Sequence, residues 1–370
     1  MQTVAACDKG GYVMKAAVLK SSHVLRVEEI PKFPLEPGMV TLKVKACGVC
    51  GSDFRYYVGE NPWALHTLGK ALPNPPNIVL GHEYAGVVVE AASKDGESLM
   101  GKRVVAMCFR TCGECDLCRT GRPNLCKNTR HIGHGAGWGK RDYYPGAMAE
   151  YCPAWADSCC VIPEHLSFEE AAMADIIGVG VHAVGLADVR EGDSVAVFGC
   201  GPIGCAIIQV ARARGASRVI ATDKYGKALE IAKQSGADSV IDVTRSSPVD
   251  VILSSTGGKG CSAVFDTVGT NRTVGDGLSA LAESGSFINL AVHSVKLDFD
   301  AMKLSAERKF RSSANFLPEE FPAAVNLLAT GKVNVAPWIT HRFALSEAAR
   351  AFELGFEKER HSIFKIVILP

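Results

Sequence analysis

The sequence predicts an α/β protein in which a β-rich unit adjoins a second unit built on a doubly wound parallel sheet. Three observations predict it. Short β-rich runs broken by Gly and Pro extend to about Val161, strands alternate with helices from Ser194 to Leu290, and a glycine-rich turn joins the first strand and helix of that series.

In the first unit the clearest runs are residues 14–19, 39–47, 84–90 and 103–108, with turn signals at Pro37-Gly38 and Asn74-Pro75-Pro76. Residues 169–186 read as one helix of small and apolar residues. Near Gly192 the character changes. Ser194–Phe198 is nearly all apolar, as expected of a parallel strand buried on both faces. Helices are expected at 203–214, 227–235 and 274–283, and strands at 218–222, 239–241, 263–266 and 286–290. After about Arg311 the pattern is mixed, closing on a strand at 362–369.

A chain of 370 residues, 47% hydrophobic and 21% charged, is long enough for two domains with substantial cores. A formal charge of +1 gives no electrostatic reason to expect nucleic acid or an anionic membrane as partner. No apolar run reaches the roughly 20 residues a bilayer span needs. The first 13 residues lack the basic start and apolar stretch of a signal peptide and read as a short extension. A soluble, cytoplasmic protein is expected, and 14 cysteines in such a chain argue for metal or redox chemistry over a disulfide framework.

The motif Gly199-Cys200-Gly201-Pro202-Ile203-Gly204 follows a strand and opens a helix, the context of a Rossmann dinucleotide fingerprint. Gly199 permits the tight turn, Gly201 lets the backbone approach a pyrophosphate, and Gly204 lets helix and strand pack closely. Asp223, at the end of the second strand, is placed to accept hydrogen bonds from ribose hydroxyls and to repel a 2′-phosphate, so NAD is preferred over NADP. Lys224 beside it softens that repulsion.

Cys112, Cys115, Cys118 and Cys126 set four thiols in one compact loop, the pattern of a closed, structural zinc site. An iron–sulfur site and a nucleic-acid zinc finger compete. The nearby nucleotide motif disfavours the first, and the lack of a basic stripe the second. A dispersed constellation remains: Cys50-Gly51-Ser52-Asp53, Gly81-His82-Glu83 and Asp175.

In order and spacing, these pieces, the four-Cys lobe and the fingerprint resemble the zinc-containing medium-chain dehydrogenases, nearest the polyol, butanediol and threonine dehydrogenase branch. The resemblance implies a GroES-like catalytic domain over 1–175 with its structural-zinc lobe at 108–127, a Rossmann domain over 176–311, and a return to the catalytic domain over 312–370. It implies two zinc ions per chain. Cys50, His82 and Asp175 would be ligands of the catalytic one, and Glu83 a ligand or a carboxylate that exchanges there. Asp53 would orient the ligands, while Cys47 belongs to the core and His182 is structural. Zinc with an open position lowers the pKa of an alcohol, and NAD takes the hydride.

By the same resemblance Ser52 accepts the alcohol proton. Arg55 stands where the family's next relay histidine would be, and a guanidinium cannot act as a base. Val268, Leu290, Ala291, Val292, Asn315 and Phe316 would contact the nicotinamide. Tyr56 would line the pocket, with loops 55–77 and 131–146 at its mouth, whereas nothing assigns a role to His66, His131 or His134. The expected substrate is a small secondary alcohol or polyol, and the expected assembly a homodimer or homotetramer. The alternatives are a formaldehyde dehydrogenase-like enzyme and a zinc-binding member without catalysis.

Overall fold

The computed structural model describes residues 13–370, so the short extension, apart from Val13, lies outside the described residues. Val13–Ser21 and Val24–Pro31 form an antiparallel hairpin, which Ile78–Val79 joins as a third strand. A larger sheet runs in the order Cys159–Val161, Arg103–Ala106, Glu83–Ala91, Met39–Gly48, Lys365–Leu369, Ile339–Ala344, with Tyr151–Trp155 also paired to Met39–Gly48. Its strands therefore come from both ends of the chain.

Register on the strand Met39–Gly48 decides what meets what. Gly48 lies opposite Glu83 on one side and opposite Val367 on the other. The chain just beyond Gly48 is thereby brought to the start of one strand and the middle of the C-terminal one.

Residues 194–312 supply a six-stranded parallel sheet, ordered Ser239–Asp242, Arg218–Asp223, Ser194–Phe198, Cys261–Asp266, Leu281–Asn289, Lys309–Ser312. Counted along the chain this is 3-2-1-4-5-6, so the order reverses at Ser194–Phe198. Phe198 aligns with Thr222 on one side and Asp266 on the other. Gly199, Asp223 and Thr267 thus share the carboxyl edge, where such sheets bind ligands. The helix Ala174–Leu186 packs on both Pro202–Ala213 and Glu320–Ala329, and one apolar cluster runs from Val40 and Leu42 to Val195 and Val197.

Several expected elements are redrawn. The single helix over 169–186 is two, Phe168–Ala172 and Ala174–Leu186, because Met173 with ψ −3° interrupts the hydrogen-bond ladder. The helix expected at 274–283 is Asn271–Ser279: a Thr270–Thr273 capping box starts it early, and pairing of Leu281 with Cys261 draws the following residues into a strand. The strand expected to reach Cys108 stops at Ala106, and the C-terminal strand starts at Lys365. Helices Pro248–Ser255, Glu320–Ala329 and Ala348–Phe356 went unread. The first carries a legible start, Ser247 capping and Pro248 at its first turn.

Candidate active site

Cys50 stands at the N-terminus of the short helix Gly51–Tyr57, and the Cys-Gly-Ser-Asp run is that helix's start signal. Asp53 turns its carboxylate back onto the Cys50 N–H at 2.8 Å. The same carboxylate accepts from the Gly81 N–H at 3.3 Å and lies 3.6 Å from His82 Nδ1. Fully buried, Asp53 therefore ties the two halves of the constellation together and leaves the far nitrogen of His82 facing Cys50. Gly81, at φ +92°, is required as well, since a Cβ there would meet Cys47 Sγ and the Met148 backbone.

Ligand atoms of Cys50, His82 and Glu83 lie within 4.8 Å of one another. Glu83 is 1% exposed, and its charge is balanced by Lys365, whose Nζ sits 2.5 Å from Glu83 Oε2 and donates to the Val49 carbonyl at 2.8 Å. Asp175 lines the same cavity but is absent from that cluster, and its carboxylate accepts from Cys108 Sγ at 3.3 Å. Burial pushes Asp175 up to about 6 and holds the Cys108 thiol well above its ordinary pKa. At His82 burial opposes the charge, yet the Asp53 carboxylate and Cys50 raise the imidazole well above its usual value.

The cavity, about 240 Å³, is also lined by Ser52, Tyr56, Trp63, His66, His131 and His134. Loop 55–77 thus reaches it, in part through a helical stretch: Ala64–Leu68 is a single π turn. The mouth expected from loop 131–146 is only partly there. His131 and His134 face the cavity. Trp138, Arg141 and Tyr143 instead line a separate cavity with Phe33, because Trp138 is stacked on Trp155 and covered by Arg130 and Arg141. His182 is held between Asn124 at 3.4 Å and Glu320 at 2.9 Å, away from the ligand cluster.

Leu290, Val292, Asn315 and Phe316 also line the cavity, together with Ile203. Ala291 does not line it; it packs against Gly269. A further cavity lies at the carboxyl edge of the parallel sheet, lined by Gly199, Gly201, Pro202, Asp223 and Lys224 among others; Val268, expected at the nicotinamide, lines this cavity instead, because it follows the strand Cys261–Asp266 at that edge. Gly204 lies beneath it, where a Cβ would collide with the Gly199 carbonyl, whereas the space at Gly201 is open to an approaching ligand. Asp223 is pinned by N–H groups of Cys200, Lys224 and Tyr225 at 2.7–3.0 Å. Lys224 lies over the Tyr225 ring at 4.7 Å.

The four-thiol lobe is apart from both cavities. The Sγ–Sγ separations Cys112–Cys118, Cys115–Cys118, Cys115–Cys126 and Cys112–Cys126 run from 3.5 to 3.9 Å, and all four sulfurs lie within 4.8 Å of one another. Sulfurs around a tetrahedral zinc with bonds of about 2.3 Å would be roughly 3.8 Å apart, so this donor set fits the ion.

Sequence reasoning set His131 and His134 in a loop at the pocket mouth without assigning them a role, and missed Cys108 and Lys365 as neighbours of the cluster. Those two lie on separate segments with no motif around them, and only the tertiary fold brings them in.

Residues 36–164 match the alcohol dehydrogenase GroES-like domain, and residues 202–330 the zinc-binding dehydrogenase domain. The probable D-xylulose reductase A of Aspergillus clavatus is 32% identical, over 91% of this chain and 92% of that one. The sorbitol dehydrogenase of Bacillus subtilis is 27% identical, over 96% and 97%. Among solved structures, the alcohol dehydrogenase TADH from Thermus sp. ATN1 superposes with a TM-score of 0.82 at 31% identity, over 96% of this chain and 99% of that one. The chain belongs to the zinc-binding medium-chain dehydrogenases, on their polyol branch, and is an oxidoreductase of alcohols.

Proposed function

We propose that the chain moves hydride between a secondary hydroxyl of a polyol or vicinal diol and NAD, at the cavity beside Cys50. The observation that carries this is the coincidence of a Cys50–His82–Glu83 donor cluster with a cavity also lined by Leu290, Val292, Asn315 and Phe316. One thiolate, one imidazole and a carboxylate suit zinc and leave a side open to the cavity. When bound there, zinc supplies Lewis acidity to the alcohol oxygen and NAD accepts the hydride.

The chain's own groups do the remaining work. Asp53 fixes the orientation of His82, and Lys365 holds Glu83 in place. Ser52 lines the cavity and takes the hydroxyl proton. Arg55 cannot carry that proton further, being permanently charged and held by Glu60 and the Val292 carbonyl, so solvent completes the release. Asp175 faces the same space and is a candidate to replace Glu83 in the donor set. Asp223, Lys224 and Val268 hold the adenosine half of NAD, with Gly199, Gly201 and Pro202 at the pyrophosphate and Gly204 packed beneath them; Ile203, Leu290, Val292, Asn315 and Phe316 serve the nicotinamide end.

The four-thiol lobe takes a second, structural zinc. The domains divide at 175 and 311. A homodimer or homotetramer in the cytoplasm is proposed with this reading: no helix among the described residues is long and apolar enough to cross a membrane, and the described cysteines are free.

The test is NADH formation on sugar alcohols, vicinal diols and formaldehyde, with NAD and NADP in parallel, before and after mild chelation. Chelator-sensitive turnover of a polyol with NAD is expected. Turnover confined to formaldehyde, or a full rate after the zinc is stripped, would overturn the reading.

A further inference from the structure

One wall of the cavity is a run of stacked rings. His131 and His134 lie with centroids 3.7 Å apart. Tyr56 stacks on His134 at 5.3 Å and 12°, Trp63 leans on it at 6.1 Å, and His131 meets His82 edge-on at 5.8 Å. His134 is thus one ring removed from the donor cluster. His131 is accounted for: its Nδ1 bonds the Ile132 carbonyl at 2.7 Å and its Nε2 faces Cys108 Sγ at 3.5 Å. His134 is not. It is 7% exposed, it lines the cavity, and its Nδ1 is buried with no hydrogen-bond partner. A buried polar atom without a partner is costly, and a ligand that supplies one recovers that cost.

The charges around the cavity are one-sided. Among the described residues, no lysine or arginine lines it, while the carboxylates Glu83 and Asp175 do. Lys365 is taken up by Glu83 and the Val49 carbonyl, and Arg55 by Glu60 and the Val292 carbonyl. With the reacting hydroxyl at the donor cluster, a phosphate or carboxylate elsewhere on the substrate would lose its water without gaining a side-chain counter-ion. An uncharged polyol meets no such cost. Its C–H faces fit against Trp63, Phe109 and Phe316, and a hydroxyl both donates and accepts, so it suits either tautomer of an imidazole.

We propose that His134 binds a second, non-reacting hydroxyl of an uncharged polyol, and that the cavity excludes alcohols bearing a phosphate or carboxylate. The proposal rests on the reading of this site as alcohol-oxidising. His134 is a specificity residue, distinct from the groups that handle the reacting carbon.

The holoenzyme is assayed with NAD on D-sorbitol, D-sorbitol 6-phosphate and 2-butanol, as wild type and as His134→Phe, which keeps the stacked ring and removes its nitrogens. D-Sorbitol 6-phosphate is expected to fall below sorbitol in kcat/KM by about 100-fold or more, the order of a desolvated, unpaired charge. The Phe variant is expected to raise the sorbitol KM about 3- to 10-fold, the order of one neutral hydrogen bond, with little change in kcat. Turnover of 2-butanol, which has no second hydroxyl, should not move. His134→Asn, which restores a donor and an acceptor, should recover part of the sorbitol KM, and His134→Leu stands in as the loss variant if the Phe variant does not fold. Equal turnover of sorbitol and its phosphate, an unchanged sorbitol KM, or an equal loss on 2-butanol would each overturn the proposal and leave the alcohol-oxidising site standing. Failure on every alcohol would overturn both.

Discussion

Two clusters of metal-type donors in this chain are built in opposite ways. Cys112, Cys115, Cys118 and Cys126 come from one short loop, are partly exposed except for Cys126, and aim four sulfurs at one another with the N–H groups of Cys112 and Cys115 turned toward sulfur. Such a set closes on its ion and leaves no side for a substrate. Cys50, His82 and Glu83 come from two segments joined by a strand register, with Asp53 and Lys365 behind them and a cavity in front. The local set can stabilise only its own lobe. The dispersed set requires the whole sheet to be in place before it exists, and this is why its open side can be shaped for chemistry.

The sharpest test of that difference is removal of one sulfur from each. Cys50→Ser is expected to lower NAD-linked turnover on the order of a thousandfold, since several kcal/mol of charge stabilisation is lost. NADH binding, read by fluorescence, should survive, because the adenosine cavity is separate. Retained activity would remove Cys50 from the site.

The next effect falls on the layer behind the cluster. Lys365→Met leaves Glu83 buried without its counter-charge and should cost about 3–5 kcal/mol in urea unfolding, whereas Lys365→Arg should cost clearly less. Equal losses would mean that packing, not charge, is what Lys365 supplies.

Cys115→Ala should do the reverse of Cys50→Ser: one zinc fewer by metal analysis and a Tm lower by roughly 5–10 °C, with kcat/KM near wild type in the cold. A large loss of turnover at low temperature would show that the lobe does shape the active site.

The smallest effect is acid sensitivity. Burial pushes His131 down to about 3, against about 6.5 in an unfolded chain. Between those values the unfolded state binds the extra proton, so stability falls as pH drops through that window, by up to about 1.36 kcal/mol per pH unit. His131→Phe should flatten the slope by that amount in urea unfolding at pH 7, 6 and 5. Unchanged slopes would mean that His131 charges while folded.

Much of this was legible before the structure. The alternation of strands and helices, the glycine fingerprint with Asp223 and the four-thiol lobe are local patterns, each written within a strand–turn–helix or a single loop. The boundary that went astray at Leu281 was set by a partner outside its own segment, since Cys261 draws Leu281 into the sheet. Loop 131–146 shows the same divide within a few residues. His131 and His134 turn to the cavity while Trp138 turns to Trp155, and nothing in their spacing distinguishes them.

The sequence by itself determined the two-unit α/β plan, the nucleotide edge and the lobe, because backbone geometry and ligand spacing over a few residues suffice for each. Only the tertiary structure decided that Lys365 reaches Glu83, that Cys108 meets Asp175, and that His134 presents an unpaired nitrogen in a wall without cations. Those contacts join residues up to hundreds of positions apart. They exist only where strand register and packing bring the segments together.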